Sequence, residues 1–271
     1  FLFGVAVAKT IGKGIIDVKF ITLSVLIGAL SGAIIWNIIT WLLGLPTSSS
    51  HALIGGLIGS AIASVGFKSI ILSGVLKIVS FIFIAPILGG IGGIIFTYLI
   101  IRIFRKTPPK KINNIFKKLQ LLSATFYAIG HGTNDAQKSM GIIAMALLAG
   151  GINKEFHLDN WVVLACYSAI SLGTMFGGWR IVKTMGTKIT KIRALEGFCA
   201  ESSSSIILLL TAHFGIPVST THVIAGSIMG VGTVEQAASV RWITARKILW
   251  AWILTIPLTA ICSAFCYLII K

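Results

Sequence analysis

The sequence predicts an all-α polytopic membrane protein made of two related halves. Three observations carry that prediction. The 271 residues are 56% hydrophobic and only 11% charged, a balance that a soluble core of this size does not show. Apolar stretches at 21–45, 78–101, 161–179 and 248–270 approach or exceed the ~20 residues needed to cross a bilayer. One polar motif occurs twice in the same order, once in each half.

The first stretch, 21–45, and the second, 78–101, lie in a region without acids: none occurs between Asp17 and Asp135. The net charge of +16 does not indicate a nucleic-acid partner, because no aromatic-basic surface interleaves with the cations. They gather between apolar runs instead. Arg102, Arg105, Lys106, Lys110, Lys111, Lys117 and Lys118 form one cluster, and Arg180 to Arg193 holds a second; the positive-inside rule places both on the cytoplasmic side. Pro108-Pro109 discourages helix within the first, so residues 102–118 read as a basic linker between a first repeat, 1–101, and a second, 119–271. Cys166, Cys199, Cys262 and Cys266 all fall in apolar segments without metal or disulfide spacing, and read as packing residues.

The repeat is explicit. Gly44-Leu45-Pro46-Thr47-Ser48-Ser49-Ser50-His51 aligns in register with Gly215-Ile216-Pro217-Val218-Ser219-Thr220-Thr221-His222, and Gly59 then falls on Gly230. A weaker match upstream pairs Val7-Ala8-Lys9-Thr10-Ile11-Gly12 with Ile181-Val182-Lys183-Thr184-Met185-Gly186. Duplicated halves with a substrate site between them are a common transporter plan. The counterpart of the segment 119–180 would fall before residue 1. Phe1 is not an initiator methionine and no cleavable signal peptide is visible, so the polypeptide is expected to begin upstream, with another Asn-Asp motif there.

Ala52–Val65 and Val223–Val234 are too short to span and suit re-entrant segments. Each proline is expected to end the helix before it. The hydroxyl triplet then occupies the cap and first turn of the next helix, where free amides and the helix dipole favour an anion. Ser48, Ser49, Ser50, Ser219, Thr220 and Thr221 are accordingly candidate ligands of a tetrahedral oxyanion. Capping alone needs one hydroxyl, whereas both copies present several. His51 and His222 stand beside them, either as histidines bonded to a neighbouring carbonyl or as site residues.

Gly130-His131-Gly132-Thr133-Asn134-Asp135 interrupts the apolar run Leu119–Gly150, which reads as one broken span or two shorter ones. Charges at membrane depth are functional by default. On a helix, His131, Asp135 and Lys138 share a face with Asn134 adjacent; the alternative is an Asp135–Lys138 ion pair serving structure alone. A carboxylate repels an anion, so Asp135 points to a coupling cation, Na+ or H+. Glu201, inside an apolar run and matched by Leu30 in the other half, is a second cation candidate. Glu196, nearer a basic loop, reads as a surface ion pair. Ser202 to Ser205 read as helix-packing hydroxyls, and Asn37 as an intramembrane polar residue and weaker site candidate. No nucleophile with an oriented base is present, so an enzyme is not expected.

These residues resemble the inorganic phosphate transporter (PiT) family, bacterial low-affinity type. Gly130-His131-Gly132-Thr133-Asn134-Asp135-Ala136-Gln137-Lys138 is similar to its second Asn-Asp signature, and Gly44–His51 and Gly215–His222 resemble its two Ser/Thr hairpin motifs. The resemblance covers essentially the whole chain apart from the first signature. It implies two inverted repeats with re-entrant helical hairpins around phosphate, usually as a homodimer in the cell membrane. It also implies Asn134 and Asp135 in cation and phosphate binding, the two triplets as phosphate donors, and no cofactor beyond a co-transported Na+ or H+. The expected function is cation-coupled phosphate symport by alternating access. Sulfate permeation and membrane phosphate sensing are the alternatives.

Overall fold

A computed structural model of the chain describes residues 5–235 and 237–271; Phe1, read above as an internal position, lies outside them. After the short α1 (Ala6–Gly14), Thr22 caps α2 (Leu23–Leu43) by accepting from the Val25 amide at 3.2 Å. Gly44 ends α2 in the left-handed region at φ 66°. The helix therefore stops at this glycine, two residues before Pro46. A residue with a Cβ adopts that conformation only at a cost. Pro46 then keeps the connection extended until Ser48 opens α3 (Ser49–Val65) by accepting from the His51 amide at 3.2 Å.

α4 (Leu72–Phe104) and α5 (Pro109–Ala149) follow. Only 105–108 separates them, so the basic segment expected as a linker is helical at both ends. Pro109 takes the first turn of α5, where a missing N–H costs nothing. α5 runs unbroken through the polar signature, so Leu119–Gly150 is neither a broken span nor two shorter ones but part of one continuous helix. Its 41 residues extend about 60 Å, so its basic start projects beyond a bilayer. α6 (Asn160–Phe176) bends by 65° into α7 (Trp179–Lys183) and a π-turn over Thr184–Lys188. α8 (Ala194–His213), α9 (Thr220–Glu235) and α10 (Trp242–Ile270) complete the chain.

α2, α4, α8 and α10 are each long and apolar enough to cross a membrane, and α6 with α7 makes a fifth if counted as one bent span. The chain is a multi-pass helical membrane protein. Ile34, Ile38, Ile95, Phe265 and Ile269 stand exposed on these helices, as lipid-facing side chains do.

The repeats interlock. α2–α3–α4 corresponds to α8–α9–α10, and each short helix packs against the long helix of the other half: α3 on α10 and α9 on α4. Without water to drive association, helices in lipid gain stability from close van der Waals contact through small residues. Gly55 and Gly59 lie directly on the backbone of Ile256 and Ala260, while their counterparts Gly226 and Gly230 lie on Pro86 and Gly90. Between the halves the match is reciprocal at finer grain. The Thr10 hydroxyl donates to the Gly215 carbonyl at 2.8 Å and the Thr184 hydroxyl to the Gly44 carbonyl at 3.0 Å. Each half thus clamps the left-handed turn of the other, Gly44 at φ 66° and Gly215 at φ 65°.

Candidate functional site

The swapped arrangement brings the first turns of α3 and α9 together on α5. The His51 and His222 rings meet edge to face, with centroids 4.7 Å apart, and the two helices share no extended interface beyond their starts. Helices that meet N-terminus to N-terminus and then diverge are what inverted repeats require. Both positive dipole ends consequently face one region.

Asp135 of α5 occupies that region. Its Oδ1 accepts from Lys138 Nζ at 2.6 Å, and its Oδ2 lies 2.9 Å from His131 Nε2 and accepts from the Thr220 hydroxyl at 3.1 Å. Helical spacing explains the first two, since positions three and four apart share a face. Lys138 also donates to the Ser50 hydroxyl and, at 2.8 Å, to the Val218 carbonyl. One ammonium therefore touches α5, the start of α3 and the residue preceding the α9 cap. Tyr127 stacks on His131 at 6.0 Å, holding that ring in place one turn further back.

The triplets divide their roles by position. Ser48 and Ser219 cap, accepting from the His51 and His222 amides at 3.2 and 3.3 Å. Ser49 is exposed and lines two openings, whereas its counterpart Thr220 is bonded to Asp135. Ser50 is bonded to Lys138, and its counterpart Thr221 is half-buried. The larger opening, about 920 Å³, is walled by Asn37, Thr47, Ser49, His131, Asp135 and the inner face of α6. The smaller, about 180 Å³, adds Ser50 and Lys138. Asn37 thus sits at the site's edge, one of three positions, with Thr40 and Thr47, where the first half contributes a side-chain amide or hydroxyl beyond its triplet.

Asn134 lies behind this face. Its amide donates to the Leu208 carbonyl at 3.2 Å, leaving Oδ1 buried without a hydrogen-bond partner. Gln137 accepts from the Val7 amide at 2.9 Å, satisfying one of the free amides at the start of α1. His222 stacks on Trp252 at 4.0 Å, and the Trp252 indole donates to the Pro46 carbonyl at 2.9 Å.

Glu201 is elsewhere. It accepts from the Ser123 hydroxyl at 2.6 Å, and Ser123 precedes Asp135 by twelve positions of one helix, about 18 Å along its axis. Glu201 and Asp135 therefore do not form one cation site. Glu196 pairs with Arg193 at 2.9 Å, but its own side chain is buried at the start of α8 rather than on the surface. Ser204 donates to Ser227 at 2.8 Å between α8 and α9, as a helix-packing hydroxyl does. All four cysteines are free, and no group of three or more His, Cys, Asp or Glu able to hold a metal occurs among the described residues.

Comparison with known proteins adds a decisive match. The phosphate transporter family model aligns with residues 1–112 and 104–263. The chain belongs to the phosphate transporter family. It is 48% identical over 266 residues to a probable low-affinity inorganic phosphate transporter of Rhizobium meliloti, covering 98% of this chain and 80% of that protein. A Bacillus subtilis protein of the same description is 41% identical, with 98% and 80% covered. A Mycobacterium tuberculosis relative so described is 43% identical over 97% of this chain, which spans only 64% of that protein's length. Among solved structures, the sodium-dependent phosphate transporter superposes with a TM-score of 0.85 at 25% identity, covering 99% of this chain and 85% of that one. The family and these relatives are transporters, so the chain is not an enzyme.

Family membership leaves the reading of individual side chains to the geometry. Thr10, Thr184, Trp252 and Ser139 went unassigned in the sequence. Ser139 lines both openings, and its position four after Asp135 on α5 was the available signal. Thr10 and Thr184 stood in the weaker repeat match, which marked them as equivalent without showing what they touch.

Proposed function

We propose that the protein carries inorganic phosphate across the cytoplasmic membrane by alternating access, coupled to Na+ or H+. The observation that carries this reading is the convergence of two hydroxyl-bearing helix starts beside Asp135 and the larger opening. Hydroxyls and amides there replace part of an oxyanion's hydration without binding it irreversibly. Ser49, Ser50, Thr220 and Thr221 are the proposed phosphate donors, with Ser48 and Ser219 holding the helix starts that present them. Asp135 and Asn134 are the proposed cation-linked groups. His131, Lys138, His51, His222 and Asn37 complete the surroundings. Glu201 belongs to a separate locus and is proposed at most as an independent proton or cation group. The names of the relatives, low-affinity inorganic phosphate transporter and sodium-dependent phosphate transporter, support phosphate over other tetrahedral anions. A homodimer in the cell membrane is proposed on the family resemblance.

Sulfate is the second reading, because the donors suit either anion. The complete protein in proteoliposomes is expected to take up radiolabelled phosphate, with unlabelled phosphate competing and sulfate competing poorly. Equal competition by sulfate makes it a general oxyanion permease, and no phosphate uptake under any cation gradient overturns the proposal. Repeating the uptake with sodium replaced by choline at two pH values separates Na+ from H+ as the coupling ion.

A further inference from the structure

We infer that Lys138 serves as a resident cation at the meeting point of the two hairpins, in the place where a transported sodium ion would otherwise neutralise Asp135. The inference rests on the phosphate-transport reading and deepens it.

Three oxygens surround the ammonium: Asp135 Oδ1 at 2.6 Å, the Val218 carbonyl at 2.8 Å, and the Ser50 hydroxyl. A carboxylate, a backbone carbonyl and a hydroxyl, drawn from three separate segments, are the donor set of a hard monovalent or divalent cation. Here the group at their centre is covalently attached. The Lys138 side chain is 4% exposed and that of Asp135 12%. A buried carboxylate of this kind demands a counter-charge, and the chain supplies it from three positions along the same helix. The Val218 carbonyl is the telling member. At the start of α9 the free groups are amides, which attract anions; the carbonyl of the residue before the cap is turned instead toward a positive charge.

Two consequences follow. A sodium ion cannot share these oxygens, because two unit charges a few ångströms apart repel strongly. A fixed ammonium also crosses no membrane, so this locus readies the site for an anion without moving an ion. The protein then binds one sodium fewer than a transporter with a neutral side chain at this position, and its remaining coupling ion acts elsewhere.

The test compares the complete wild-type protein with Lys138→Asn, Lys138→Gln and Lys138→Arg. Titrated with radioactive sodium in detergent, Lys138→Asn gains one saturable site absent from wild type, and Lys138→Arg gains none. In proteoliposomes, Lys138→Asn loses at least tenfold of its phosphate uptake when choline replaces sodium, with a sodium Hill slope about one unit above wild type. Unchanged sodium binding and unchanged sodium dependence in Lys138→Asn overturn the inference. Lys138→Gln replaces Lys138→Asn if the latter does not fold. A metal-ion peak between Asp135, Ser50 and Val218 in a map of the wild-type protein in sodium overturns the inference whatever the variants do. Sodium binding is read without transport, so failure of wild-type uptake strikes the transport reading alone.

Discussion

Within each hydroxyl triplet the three side chains face different partners, and substitutions at them separate accordingly. Ser48 and Ser219 accept amide hydrogens at helix starts, so Ser48→Ala and Ser219→Ala are each expected to lower stability by about 1 kcal/mol. Thermal melts in detergent check this, and phosphate affinity should change by less than a factor of about three. Ser49→Ala combined with Thr220→Ala should instead weaken phosphate binding roughly tenfold or more, since hydrogen bonds to a charged group contribute about 1.5–3 kcal/mol each. Equilibrium binding of radiolabelled phosphate reads that loss; an unchanged affinity removes both hydroxyls from the site. Asp135→Asn leaves the buried Lys138 ammonium without its carboxylate partner and should lower phosphate uptake about equally at all sodium concentrations, because Asp135 faces Lys138, His131 and Thr220 rather than a transported ion. Much of this was legible in the sequence, where duplication marked the triplets and helical spacing put His131, Asp135 and Lys138 on one face. The partners contributed by main chain, the Val218 carbonyl to Lys138 and the Leu208 carbonyl to Asn134, were not. Every residue has a carbonyl, and only the fold selects which one is presented.

Among the elements, the boundaries departed most from expectation, for local reasons. α2 ends at Gly44 because a residue at φ 66° cannot continue a right-handed helix, and the proline two places on follows rather than causes the stop. The basic segment is nearly all helix because Pro109 falls in a first turn, where proline is welcome. α5 stays continuous because its polar signature finds partners on α3, α8 and α9 without unwinding. The Thr10 and Thr184 clamps belong to this scale too. Thr10→Val and Thr184→Val each remove one hydroxyl that spans the halves, and each should cost about 1 kcal/mol. Symmetry predicts effects of similar size in thermal melts, and a clear loss in one with none in the other would show that the two clamps are not equivalent.

For the whole molecule, the exchange of α3 and α9 between halves makes the site a product of both repeats. Neither half alone assembles it: α3 needs α10 and α9 needs α4 for their glycine contacts. Gly59→Ala and Gly230→Ala place a methyl group against the Ala260 and Gly90 carbonyls, and each should destabilise by about 1–3 kcal/mol, read as a lowered melting temperature and reduced yield of folded protein. The sequence announced the duplication but not the exchange, since a repeat in one dimension does not say which copy packs on which. The same limit hid the separation of Glu201 from Asp135, two acids that looked alike as charges within apolar runs. The central claim is that this two-half site moves phosphate rather than merely holding it, and counterflow tests it most directly. Proteoliposomes of the complete protein, loaded with unlabelled phosphate and diluted into trace radiolabelled phosphate, should accumulate label transiently above equilibrium. Saturable phosphate binding without that overshoot would contradict the account and leave a sensor.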